Sequence, residues 1–146
     1  MVRREITIDN SITCTWLLPD ENTALTDVLL EDILDGVLGL VQPVLWYYES
    51  TNVLRSAVRR GRLSEQNAKK ALHEFQKIPV ELITPSTEGL TDILEASLKH
   101  NLSVYDASYF RLAEERGLDL VSADTDLLNL KPHFPWIKSI EDWQRS

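Results

Sequence analysis

Cysteine is nearly absent: Cys14 is the only one in 146 residues. An internal disulfide is excluded, and a reducing cytosol is the expected compartment. His73, His100 and His133 stand apart from one another and from Cys14, which argues against a zinc site of His and Cys ligands. No apolar run reaches the ~20 residues of a membrane span. Arg3-Arg4 leads into a broken, polar run rather than the apolar core of a secretory signal. A cytoplasmic protein without a membrane partner is therefore expected. No Gly-rich loop ends in Lys-Ser or Lys-Thr, which excludes a Walker-type nucleotide site. Positive charge is short as well. With 15 Lys and Arg against 23 Asp and Glu, the net charge of −8 argues against a protein that grips nucleic acid by bulk charge alone.

What remains is an ordinary globular composition, 43% hydrophobic and 26% charged, in a length that suits one domain with its own core. In Arg4 to Asp9 the alternation of Ile6 and Ile8 with Glu5 and Thr7 predicts a strand that stops at Asp9. Ser11 is placed to cap a helix, and Thr13 to Leu18 reads as a short helix halted by Pro19. Thr23 to about Leu38 forms a second helix whose end Gly36 and Gly39 loosen, and Leu40-Val41 fits a buried strand. Pro43 opens a third helix running to Gly61, at a position where its missing N–H does no harm. Ser64 to about Lys77 is a fourth helix, Val80 to Ile83 a strand, and Ser86 or Thr87 opens a fifth helix. Tyr105 to Arg116 is a sixth helix ended by Gly117, and Leu118 to Ser122 a strand with Asp124 just beyond it. Thr125 to Leu130, Trp136 to Lys138 and Ile140 to Gln144 complete the chain as a helical turn, an edge strand and a short helix. Alternation of strand and helix predicts an α/β domain with a parallel sheet flanked by helices on both faces.

Four acids fall at telling places. Asp9 and Asp124 end strands that run in the same direction, so both carboxylates arrive at one sheet edge, where ligands bind in open α/β sheets. Glu49 shares a helix face with Leu45, Asn52 and Val53, and Asp106 lies in the first turn of the sixth helix. Taken singly, each has a plain explanation: a loop acid, a solvated helix residue, a charge complementing a helix dipole. Together that explanation weakens, because two carboxylates about 4 Å apart repel by roughly 4 kcal/mol at an effective dielectric of 20. Converging acids need a cation to stay ionised, and all-oxygen ligands suit Mg²⁺ or Mn²⁺.

Asp9-Asn10-Ser11, Pro43 to Leu54, Tyr105-Asp106-Ala107-Ser108-Tyr109 and Val121 to Leu128 together resemble the PIN-domain family, most of all its VapC-type toxins. The resemblance covers nearly the whole chain. It implies a sheet of about five parallel strands and a metal-dependent endoribonuclease, the toxin of a type II toxin–antitoxin pair. Asp9, Glu49, Asp106 and Asp124 match the family's acidic quartet, expected to be both catalytic and metal-binding. Ser11 matches the small hydroxyl residue near the first acid, Ser122 the hydroxyl position before the last, and Asn52 an orienting Asn after the Glu. Asp126 matches a position that is acidic only in some members, and Asn10 stands where Ala or Thr is commoner. The resemblance further implies an RNA substrate, a cognate antitoxin and a homodimer.

The expected reaction is hydrolysis of a phosphodiester by metal-activated water. Arg55, Arg59, Arg60 and Arg62 cluster at the end of the third helix, followed by Lys69 and Lys70, and substrate contact is expected there, first of all at Arg55, Arg59 and Arg60. The neutral account of that cluster is a solvated helix end whose cations complement the dipole. Trp46 is expected in a core or interface, Trp16 in core or against a partner, and Cys14 as a small buried residue. A haloacid-dehalogenase phosphatase needs a second acid where Ser11 stands, and a receiver domain an acidic pair that Asp9-Asn10 does not make. The alternative from another class is a PIN-like module that binds RNA or protein with little or no cleavage.

Overall fold

The computed structural model describes residues 3–145. The first strand, β1 (Arg4–Ile8), is followed by α1 (Asn10–Leu17), a single 3₁₀ turn at Pro19–Glu21 and α2 (Ala24–Leu34). Then come β2 (Leu38–Pro43), α3 (Leu45–Arg59), α4 (Glu65–Phe75), β3 (Glu81–Ile83), α5 (Thr87–His100) and α6 (Val104–Arg116). β4 (Asp119–Val121), α7 (Thr125–Leu128), β5 (Ile137–Lys138) and α8 (Ile140–Arg145) close the sequence. The strands form one parallel sheet in the order β3-β2-β1-β4-β5, flanked by helices on both faces.

This order has a mechanical consequence. The chain builds outward from β1 through β2 and β3, then returns to the far side of β1 to place β4 and β5. The reversal lies between β1 and β4, and that is where a crevice opens at the carboxyl edge of such a sheet. Asp9 and Asp124 follow these two strands.

β1 is more thoroughly buried than its alternation predicts, because Ile6, Thr7 and Ile8 are all 0% exposed. A central parallel strand is covered on both faces, so Thr7 is inside too, and its hydroxyl donates to the Val41 carbonyl at 3.0 Å. The core joins Ile6, Ile8 and Leu120 of the sheet to Ile12, Leu29, Trp46 and Phe110 of the helices.

Of the boundaries that differ from those expected of the sequence, three have a clear physical reason. α2 stops at Leu34 rather than near Leu38, because Gly36 adopts a left-handed conformation (φ 75°) that favours glycine and turns the chain into β2. β2 takes in Leu38 to Pro43, so Pro43 ends a strand instead of opening a helix. Val44 donates its N–H to Ile83, so strand alternation aims the ring nitrogen of Pro43 toward β1, beyond the last residue pair of the β1–β2 ladder. α1 begins at Asn10, with Asp9 at the cap position and no side-chain cap there, so Ser11 lies inside the first turn rather than before it. No described helix is long and apolar enough to cross a membrane.

Candidate active site

Asp9 is 2% exposed, yet no cation of the described chain touches it. Two hydroxyls hold it. Ser11 Oγ donates to one carboxylate oxygen and Ser122 Oγ donates to the other at 2.8 Å. Each hydroxyl also accepts a main-chain N–H from the loop after β4: Ser11 from Ala123 at 2.8 Å, Ser122 from Asp124 at 2.9 Å. The two serines thus couple the carboxylate after β1 to the backbone that carries the carboxylate after β4. Asp124 caps α7, accepting the N–H of Asp126 at 2.7 Å.

Asp106 enters from α6, which Ser103 caps by accepting the Asp106 N–H at 3.0 Å. Carboxylate oxygens of Asp9, Asp106 and Asp124 all lie within 4.8 Å of one another. Burial, followed by the charges of Asp106 and Asp124, pushes the Asp9 carboxyl up to about 7, against the pull of its two serine hydrogen bonds. The Asp106 carboxyl is raised as well, by burial and then by the charges of Asp124 and Asp126.

Glu49 stands beside this trio and is not part of it. Half-buried on α3, it accepts a hydrogen bond from the Tyr109 phenol at 2.7 Å. Burial raises its carboxyl, the tyrosine bond opposes this, and the charge of Asp106 adds to the rise. Tyr109 is one functional side chain that the sequence motifs contained without assigning. Its spacing of three from Asp106 puts both on one face of α6, which is the signal that points to it. Asn10 ties α1 to α3 through Ser50 at 3.4 Å, and Trp46 does the same from α3, donating to the Thr13 hydroxyl at 2.8 Å. Trp46 is 0% exposed, a core residue.

The remaining sequence candidates lie farther out. Asn52 is exposed and makes no side-chain hydrogen bond among the described residues, so an orienting role within the fold has no contact behind it. Asp126 is exposed in the first turn of α7 and acts on Asp106 through its charge. Arg55, Arg59 and Arg60 are exposed; Arg55 and Arg59 line a groove of about 370 Å³ between α3 and α4, together with Lys69. Arg62 does not belong with them: Asp20 at 2.8 Å and Glu21 at 3.0 Å hold its guanidinium. Cys14 is half-buried rather than buried, and burial pushes its thiol up to about 11, which leaves it unreactive.

Three comparisons bear on this arrangement. The profile of the PIN domain matches residues 6–131. Over 86 residues, 58% of its length, the chain is 38% identical to ribonuclease VapC3 of Pyrobaculum aerophilum; over 88 residues it is 33% identical to exonuclease VapC9 of the same organism. The matched parts span 66% and 61% of those two proteins. Among solved structures, PAE2754 from Pyrobaculum aerophilum superposes with a TM-score of 0.65 at 24% identity, covering 96% of this chain and 93% of the other. VapC20 of Mycobacterium tuberculosis, described as a sarcin-ricin loop cleaving toxin, gives a TM-score of 0.56 at 16% identity, with 83% and 91% covered. At these identities the solved structures speak for the fold, and the profile, which takes in most of the sequence together with Asp9, Glu49, Asp106 and Asp124, speaks for descent: the chain belongs to the PIN-domain family.

Proposed function

We propose that this protein is a divalent-metal-dependent endoribonuclease, the toxin of a type II toxin–antitoxin pair. One observation carries the reading: a buried aspartate shares a small volume with two other carboxylates, and no Lys, Arg or His of the described chain neutralises them. Such a site is costly empty and suits a hard cation. Its donors are oxygens only, which fits Mg²⁺ or Mn²⁺ and not zinc. Asp9, Asp106 and Asp124 hold the ion, with Glu49 completing or orienting the site. When bound, the ion polarises a phosphoryl oxygen and lowers the pKa of water.

The chain's own residues do the rest. Ser11 and Ser122 fix the rotamer of Asp9 and set its distance from Asp124. Tyr109 holds Glu49 toward the carboxylates instead of letting it swing to solvent. Arg55 and Arg59, with Arg60 adjoining, contact RNA phosphates and position the strand without reading its sequence. The relatives' names support the class: one is a ribonuclease and one an exonuclease, and a structural neighbour is a toxin–antitoxin complex from Klebsiella pneumoniae.

Two apolar surfaces support the partners. Trp16 lines a groove of about 540 Å³ with Leu30, Leu34 and Phe75, and that groove suits an antitoxin segment. Leu90, Leu94 and Leu98 repeat along an exposed side of α5, surface of the kind a second copy covers.

Incubation with total RNA in Mn²⁺ or Mg²⁺ tests the activity, with sequencing of the resulting ends. Cleavage at internal positions, abolished by EDTA and by Asp9→Asn, is expected. Equal cleavage by the folded Asp9→Asn protein would sink the reading.

A further inference from the structure

β1 and β2 pair through the register Arg4↔Leu38, Glu5↔Gly39 and Ile6↔Leu40, and there the ladder stops. Continued by two residues, it would set Ile8 opposite Gln42. In a parallel ladder the N–H of Ile8 would then donate to the Val41 carbonyl, and the N–H of residue 43 would donate to the Ile8 carbonyl. Neither bond exists. The Val41 carbonyl takes the Thr7 hydroxyl instead, and residue 43 is a proline with no N–H to give.

Gln42 replaces both missing bonds with its side chain. Its Oε1 accepts the Ile8 N–H at 2.9 Å, and its Nε2 donates to the Ile8 carbonyl at 2.8 Å. The side chain is 0% exposed, so no water competes for these groups. Without it, two backbone groups of a fully buried residue would be unpaired, a state that folded proteins avoid.

The carbonyl of Ile8 belongs to the peptide unit that leads into Asp9. The other end of that unit, the Asp9 N–H, donates to Val121 of β4 at 3.3 Å. The plane from which the Asp9 side chain springs is therefore held on one side by Gln42 of β2 and on the other by β4. We propose that Gln42 is a positioning residue for the acidic site: its carboxamide clamps the Ile8–Asp9 peptide and so fixes where the Asp9 carboxylate meets Asp106 and Asp124. Nothing in the family-matching motifs assigns it, and its contribution to metal binding rests on the proposed function, in which these acids hold an ion.

The test compares Gln42→Met with Thr7→Val. Both remove hydrogen bonds across the same gap between β1 and β2, but only Gln42 touches the Ile8–Asp9 peptide. Amide hydrogen exchange by NMR on the metal-free proteins reads the clamp directly, and Mn²⁺ titration well below the melting temperature reads its use. Gln42→Met is expected to speed exchange of the Ile8 and Asp9 amides at least tenfold, with Leu120 and Val121 unchanged, and to weaken Mn²⁺ binding about tenfold or more. Thr7→Val is expected to alter neither by more than about twofold, even where it lowers the melting temperature equally. Unchanged exchange at Ile8 and Asp9 in Gln42→Met, or wild-type exchange there as fast as in an exposed loop, overturns the clamp; the wild-type measurement stands even if the variant does not fold. Wild-type protein that binds no Mn²⁺ while the exchange difference persists supports the clamp and removes the metal reading instead.

Discussion

Between about pH 4 and pH 7 the folded chain keeps a proton on Asp9 that the unfolded chain releases, since burial lifts this carboxyl from 3.8 to about 7. The folded state thus binds more protons across that window, and stability of the metal-free protein falls as pH rises through it. Glu49 and Asp106 are shifted in the same direction and add to the slope. Asp20 and Glu74 are lowered, but they are exposed and act at more acidic pH. In EDTA, the melting temperature is expected to be higher at pH 5.5 than at pH 8. Asp9→Asn should remove most of that difference and be the more stable protein at pH 8; an equal or opposite slope in the wild type would contradict this account. The Tyr109 hydroxyl is the second residue-scale case. Tyr109→Phe keeps the buried ring and removes only the bond to Glu49. A loss of about 1 kcal/mol in stability is expected, with a fall in RNA cleavage of about tenfold or more. Full activity in that variant would show that Glu49 needs no such support.

Legibility in the sequence also divides by residue and element. Asp9 and Asp124 were readable because a strand end fixes where a residue lies, and parallel strands end together. Asp106 was readable only as an acid in a helix's first turn, and the family resemblance, not its position, joined it to the other two. Gln42 was not, because Leu38 to Pro43 mixes Gly, Gln and Pro into an apolar run and matches neither a period of 2 nor one of 3.6. Gly36 marked the end of α2, but its left-handed φ, which sets the boundary, is not visible in a one-letter code. The basic cluster on α3 and α4 was readable as composition only; pairing of Arg62 with Asp20 and Glu21 depends on a turn far away in sequence. This division yields a prediction for the α3–α4 groove. Arg55→Ala with Arg59→Ala should weaken RNA binding and reduce the slope of log affinity against log salt by about 0.7 for each lost phosphate contact. Arg62→Ala should leave that slope unchanged. An unchanged slope in the double variant would return the cluster to a plain solvated helix end.

At the scale of the whole molecule, an ion that binds only the folded state stabilises it by mass action, about 2.7 kcal/mol at a concentration one hundred times its dissociation constant. In the proposed site Mn²⁺ would have to displace the proton on Asp9, so its effect on melting temperature should grow from pH 5.5 to pH 8 and be lost in Asp9→Asn. A rise of equal size at both pH values would place the ion elsewhere on this acidic surface.

β1 is the middle strand of five, with neighbours hydrogen-bonded on either side. The residue it delivers is therefore anchored in the last part of the molecule to come apart, unlike sites borne on lids or fraying ends. In a urea series the capacity to bind Mn²⁺ and the far-ultraviolet circular dichroism should vanish at one common midpoint, leaving no range of denaturant in which the chain is still structured but can no longer take up the ion.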